Sequence, residues 1–195
     1  KSLLRVSKLS QNSINQDIQK KIILDLKKIL DNLDVIIFSD FNYGVLPQSL
    51  VDDITLLTKG RKILLAADSQ SSSQTGDISR FLNMDLLTPT EREARISLRD
   101  NQSGIVKILE DLANISNAKN IFLKLGEEGL LVNTSNTKYQ DEWATDRIQA
   151  LNNAPKDVAG AGDSMLITSA LTLSVGGTIW EAAFLGSIAA GVQVG

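Results

Sequence analysis

The chain has 195 residues, with 20 Lys and Arg against 23 Asp and Glu, a net charge of −3, and neither Cys nor His. Those absences exclude a disulfide framework, a thiolate nucleophile, a Cys-ligated zinc, a Ser-His-Asp triad and an imidazole base, so proton transfer falls to Asp, Glu, Lys or Tyr. A 43% hydrophobic and 22% charged composition suits one globular domain with a real core, and the acidic balance argues against a general nucleic-acid binder.

Lys1 to Ser10 lacks the apolar stretch of a signal peptide. The absence of an initiating Met, and an apolar end at Gly195, lead us to expect a chain cut at both ends. Ile14 to Leu33 places Ile18, Ile22, Leu26, Ile29 and Leu33 on one helical face, with Ser13 and Gln16 as its capping box. Val35 to Phe38, Ile63 to Ala67 and Ile121 to Leu123 are short continuous apolar runs, the pattern of strands buried on both faces. Met84 to Leu87 is a shorter strand of the same kind. Pro47 opens a helix reaching about Leu57. The Ser/Gln tract from Ser69 to Gln74 is a mobile loop. Thr88-Pro89-Thr90-Glu91 offers a cap, a Pro in the first helical position and a Glu three residues after the cap.

Ser103 to Leu112 forms another helix. Gly126-Glu127-Glu128-Gly129 then turns into Leu130-Leu131-Val132 as a local hairpin, and Lys138 to Trp143 adds a strand. Ser164 to Leu173 and a second helix capped by Thr178 and Glu181 close the chain. Their apolar stretch is interrupted by Ser, Thr and Gly and ends at Glu181, which speaks for buried helices and not a membrane span.

Alternating strands and helices imply β-α-β units and a doubly wound sheet. Ligands of such sheets bind beyond the carboxyl ends of the strands. There the chain presents Asp40, Asp68, Thr88 with Glu91 and Glu93, and Gly126. Loop-start Asp is also a routine turn former.

Asp157-Val158-Ala159-Gly160-Ala161-Gly162-Asp163 leads directly into an apolar helix. Small residues at 160 to 162 let backbone N–H groups converge at the helix start, where the dipole favours an anion. Asp163 in that first turn is placed to accept a proton from a hydroxyl attacking phosphorus. Taken locally, the same pattern is also that of a Gly-rich turn whose Asp merely starts a helix.

Four stretches in order resemble the motifs of the ribokinase-like (PfkB) carbohydrate kinases. They are Phe38 to Leu46, Leu87 to Glu93, Leu125 to Gly129 and Asp157 to Asp163. The wording of Thr88 to Ala94 and Ala189 to Gly195 is most similar to the heptose-7-phosphate kinase domain of ADP-heptose synthases. The resemblance implies an α/β, ribokinase-like fold, a mostly parallel sheet flanked by helices on both faces, with the amino-terminal part and lid missing. It implies ATP, magnesium and potassium as cofactors, and a sugar or sugar-phosphate substrate. Asp163 becomes the catalytic base, and Gly160, Ala161 and Gly162 the anion hole. Thr90, Glu91, Arg92, Glu93, Gly126 and Gly129 lie near the nucleotide, with adenine around Ala189 to Val192.

Glu93 helps hold magnesium through water, and Asp157 with the Ala159 carbonyl matches a monovalent-cation position. Asp40 is a substrate candidate. Read as residues alone, Glu91 is a capping residue, Glu93 is less readily a cap and is otherwise solvated helix surface, and Lys124 is either a phosphate contact or, the reading favoured, a strand-end surface charge. Ala159, Thr90, Lys124, Tyr43 and Ser69-Gln70 depart from the usual motif residues. A diverged, non-catalytic nucleotide- or sugar-phosphate-binding relative is therefore the alternative. The expectation is a cytoplasmic protein that pairs with a second copy or self-associates, without nucleic-acid or membrane partners. Without the sugar-facing region, these residues alone should not turn over a sugar.

Overall fold

A computed structural model describes residues 12–71, 75–135, 145–152, 154 and 156–195. The continuous apolar runs become strands of one six-stranded sheet, whose members are β1 (Val35–Asp40), β2 (Leu64–Ser69), β3 (Leu86–Leu87), β4 (Asn120–Lys124), β5 (Leu130–Thr134) and a sixth strand of mixed sequence, β6 (Thr145–Ile148), adjacent in that order. β1 to β4 run parallel, and β5 and β6 are antiparallel additions. The expected strand at Lys138 to Trp143 lies outside the described residues. β6, with its mixed Thr-Asp-Arg-Ile sequence, gave no apolar signal.

The helices are α1 (Gln16–Ile29), α2 (Gln48–Thr58), α3 (Glu91–Leu98), α4 (Ile105–Ser116), α5 (Ala161–Ser174) and α6 (Ile179–Gln193). Successive strand residues point to opposite faces, so the sheet builds two cores. Phe38, Leu65, Ala67, Leu87, Ile121 and Leu123 pack with α2 and α4. Ala66, Leu86, Phe122, Leu130 and Val132 pack with α5 and α6 through Met165, Leu166, Ala170, Ala182 and Ala183. This is the ribokinase-like arrangement expected, with helices on both faces. Among the described residues, no helix is long and apolar enough to cross a membrane.

Two caps differ from expectation. α1 starts at Asn15, whose side chain accepts the Ile18 N–H at 2.9 Å, in place of a Ser13–Gln16 box. α3 starts at Thr90, not Thr88. Thr90 Oγ1 accepts the Glu93 N–H, and Glu93 Oε2 accepts the Thr90 N–H at 2.8 Å. The reason is that Thr88 still belongs to the sheet ladder, its N–H donating to the Ala67 carbonyl. The chain stays extended through Pro89, as the residue before a proline prefers. Glu91 is therefore not the cap partner; its carboxylate pairs with Arg95 at 2.7 Å.

Thr90→Ala is expected to cost about 1 kcal/mol in urea unfolding, because it removes the cap. Glu91→Ala should cost no more than about 0.5 kcal/mol, the value of a helix-surface ion pair. Equal losses would contradict a cap at Thr90.

Candidate active site

α5 starts over the carboxyl ends of the parallel strands. Its cap, Gly160, has φ +80°, a left-handed conformation that favours glycine. The Ala161 N–H is drawn to the Val158 carbonyl at 3.3 Å. Among the described residues, the amides of Gly162 and Asp163 keep no intrachain acceptor, so they are the donors at this helix start. Asp163 is half-buried and accepts the Gln70 amide Nε2–H at 3.4 Å.

Beneath the turn, Asp68 is the penultimate residue of β2, Thr88 follows β3 and Lys124 ends β4. Each lies two residues beyond Ala66, Leu86 or Phe122, so the pleat directs all three to the α5 face. Lys124 Nζ donates to Asp68 Oδ1 at 3.1 Å, with side chains only 15% and 1% exposed. The same ammonium lies 3.2 Å from where a Cβ on Gly162 would stand. Lys124 is thus a site residue and not the surface charge its strand-end position suggests. Burial pushes the Asp68 carboxyl above its ordinary value; Lys124 opposes the shift, and the charges of Glu93 and Asp163 reinforce it. The Thr88 hydroxyl is buried and, among the described residues, is the buried side-chain polar atom without a hydrogen-bond partner.

Glu93 is buried, and its second oxygen accepts the Ser71 N–H at 3.0 Å. It therefore ties the loop after β2 to the cap of α3. Asn42 adds a second tie, donating to the Gln70 carbonyl at 2.8 Å and to Ser69 Oγ at 3.2 Å. Residues 69–71 are accordingly held in place, contrary to the expected mobile loop; residues 72–74 lie outside the described set.

Other candidates lie apart from this cluster. Arg92 is exposed and, with Glu91, Arg95, Ile96 and Asn101, lines a surface groove. Asp40 is buried, and its carboxylate pairs with Arg80 at 2.6 Å and accepts the Asn42 N–H. That makes it a fixture of the strand end and not an open substrate contact. Asp157 Oδ1 accepts the Ala159 N–H, while the Ala159 carbonyl accepts the Gln193 Nε2–H at 3.3 Å. A monovalent cation at that carbonyl would face an amide donor, so these two residues as arranged do not fit one.

For magnesium the arithmetic is different. Asp68, Glu93 and Asp163 outnumber the single cation Lys124, leaving an excess of negative charge that a divalent ion would offset. Among the described residues, no three carboxylates stand close enough to hold a metal directly, so these residues fit an ion held through water.

Beside the Gly160 turn is a mainly apolar cavity of about 240 Å³, lined by Gly126, Leu130, Leu151, Ala161, Ala190 and Gly191 among others. Sites for whole drug-sized ligands run to roughly 300–1,000 Å³, so this one suits a heterocyclic base without its sugar and phosphates. Gly126, at φ +61°, has open space around it, whereas a Cβ on Gly129 would stand 2.1 Å from the Ile148 carbonyl oxygen. A larger cavity of about 540 Å³ lies at the amino ends of the strands. Two of its cations, Arg61 and Lys119, are already paired with Asp31 and Asp85, which leaves the carboxyl-end rim as the better site.

The model of pfkB family carbohydrate kinases matches residues 7–195. The chain belongs to this family. It is 29% identical to "Bifunctional protein HldE" of Sulfurimonas denitrificans over 200 residues, covering 99% of this chain and 39% of that protein. The same protein of Aliarcobacter butzleri is also 29% identical, over 197 residues, with 99% and 39% covered. Among solved structures, Escherichia coli phosphofructokinase-2 in complex with potassium aligns with a TM-score of 0.75 at 17% identity, covering 93% of this chain and 57% of that one. Arabidopsis thaliana ribokinase with ribose and ATP gives 0.67 at 17% identity, covering 94% and 54%. The chain thus spans about two fifths of the curated relatives and just over half of the solved kinases.

Gly129→Ala is expected to destabilise the protein by more than about 2 kcal/mol, because φ +94° and ψ −129° combine with backbone overlap at β6. Gly126→Ala carries only the left-handed cost of about 1–2 kcal/mol. Chemical denaturation of both variants checks the difference; equal losses would mean that β6 does not pass against Gly129.

Proposed function

We propose that this chain is the nucleotide-side portion of an ATP-dependent kinase that phosphorylates a hydroxyl of a sugar or sugar phosphate. Heptose 7-phosphate is the favoured substrate, on the resemblance carried by Thr88 to Ala94. The single observation that supports the reading most is Asp163 in the first turn of α5, beside amides that have no intrachain acceptor among the described residues. Its carboxylate takes the proton as the sugar oxygen attacks the γ-phosphorus and the bond to the ADP oxygen breaks. Gln70 orients the carboxylate through its amide. The Gly162 and Asp163 amides, with the α5 dipole, meet the charge developing on the transferred group. The apolar cavity takes the base.

Magnesium, when bound, neutralises charge on the ATP phosphates, with Glu93 as its contact through water. Potassium has no role in this reading, given the Gln193 contact to Ala159. A second reading, a binding protein without turnover, draws on Glu93, whose two oxygens both already accept backbone N–H groups. Pairing with a second copy is in keeping with Leu171 on α5, Val175 just after it and Phe184 on α6, which are at least half exposed.

The discriminating variant is Asp163→Asn in the full-length enzyme. Turnover of the sugar phosphate should fall about 10²–10⁴-fold, with ATP affinity changed far less, because the phosphates are held mainly by backbone amides. Undiminished turnover in a coupled ADP assay would refute the assignment of the base.

A further inference from the structure

Among the described residues, four that are not glycine have a positive φ. Arg99 and Asn117 end α3 and α4, where a left-handed cap is ordinary. Asn83 lies ahead of β3, and its side chain accepts from Asn117 at the amino ends of the strands. Asn42, at φ +59°, is the one that follows a strand at the carboxyl-end rim. That conformation is unfavourable for most residues with a side chain and less so for Asn, so the surroundings must hold it.

They do so through a short chain of contacts. The Asn42 N–H donates to Asp40 Oδ1 at 2.9 Å, and the other oxygen of buried Asp40 pairs with Arg80 at 2.6 Å. Arg80 also donates to the Leu46 carbonyl at 3.0 Å and to Gln48 Oε1 at 3.1 Å, which fixes the guanidinium. From that base the Asn42 carboxamide crosses to the end of β2 and donates to Ser69 Oγ and the Gln70 carbonyl. The Gln70 N–H donates to the Asp40 carbonyl at 2.8 Å. Both backbone groups of Gln70 are thus held by the turn after β1, and its side chain is the part that extends to Asp163. Gly76 shows how closely the carboxamide is enclosed: a Cβ there would stand 2.5 Å from Asn42 Nδ2.

We propose that Asn42 is a positioning residue for phosphoryl transfer, fixing the backbone of Gln70 so that the Gln70 amide keeps the Asp163 carboxylate oriented for the attacking hydroxyl. The inference rests on the kinase reading and deepens it. Asn42 touches no reacting atom and acts through Gln70. Its effect is therefore on the geometry of the base, where small displacements are costly, and not on the binding of either substrate. The alternative is that Asn42 only closes the end of β1, and the two accounts separate in the kinetics.

The experiment is steady-state kinetics of the full-length enzyme with ATP, magnesium and heptose 7-phosphate, with melting temperatures as a check on folding. Asn42→Gly keeps the left-handed backbone and removes the carboxamide. Gly76→Ala is an independent variant, since its methyl group pushes the carboxamide aside while Asn42 stays in the sequence. Each should lower kcat about 3–10-fold, the worth of one neutral hydrogen bond, with both KM values within about twofold of wild type. In a Gln70→Ala background, Asn42→Gly should cost no further kcat, because the two residues act as one unit. Losses that multiply in the double variant would overturn the proposal. Wild-type kcat in Asn42→Gly and Gly76→Ala, or a raised KM with kcat unchanged, would also overturn it and leave Asn42 as a closure of the strand end. Asp163→Asn in the same assay separates this from the underlying reading. Undiminished turnover there sinks the base assignment and the proposal together, whereas a crippled Asp163→Asn beside an unimpaired Asn42→Gly sinks the proposal alone.

Discussion

The position of the Gly160 turn depends on how closely α5 can approach α6. A Cβ on Gly186 would stand 2.2 Å from Ser169 Oγ, so the two helices touch where glycine leaves room. Ser169 Oγ donates to the Ala182 carbonyl at 2.9 Å within that contact. Ala170, Ala182 and Ala183 are wholly buried, and Phe122 and Leu86 support the pair from the sheet. Small residues along this seam let α5 lie flat on β1 and β2, which brings its first turn above Asp68 and Lys124. A bulkier seam would lift the helix and part the base from the strand ends.

Charge then decides what the assembled rim can hold. Three carboxylates and one ammonium occupy a partly buried space at the end of the parallel strands. Burial disfavours the ionised form of Asp68, Lys124 opposes this, and two neighbouring carboxylates reinforce it. The backbone contributes the opposite sign through α5. A site of this kind gains little from further protein contacts and most from a ligand that brings both anionic oxygens and a counter-cation. Magnesium-bound nucleotide has that composition, and the neighbouring apolar cavity has the chemistry for its base.

Much of this was legible in the residues. Continuous apolar runs at Val35, Leu64 and Ile121 marked parallel strands, because only strands covered on both faces lack polar alternation. The Asp157 to Asp163 segment announced a helix start built of small residues. The cap of α3 was harder, because Thr88–Glu91 and Thr90–Glu93 have the same spacing and only the sheet pairing of Thr88 separates them. Asp40 looked like a rim carboxylate, but its partner Arg80 lies 40 residues away in sequence. Lys124 did carry a signal: it is two residues past the buried Phe122, hence on the α5 face. Gln70 stood out only as a departure from the usual motif residues, and its contact to Asp163 was hidden because it spans 93 residues.

The central claim is that the start of α5, above Asp68 and Lys124, receives the phosphates of a nucleotide. A crystal structure with ADP and magnesium tests it most directly. The account predicts the terminal phosphate within hydrogen-bonding distance of the Gly162 and Asp163 amides, with adenine in the cavity beside Gly126 and Gly191. An ordered phosphate elsewhere, with this turn closed off by side chains, would contradict it.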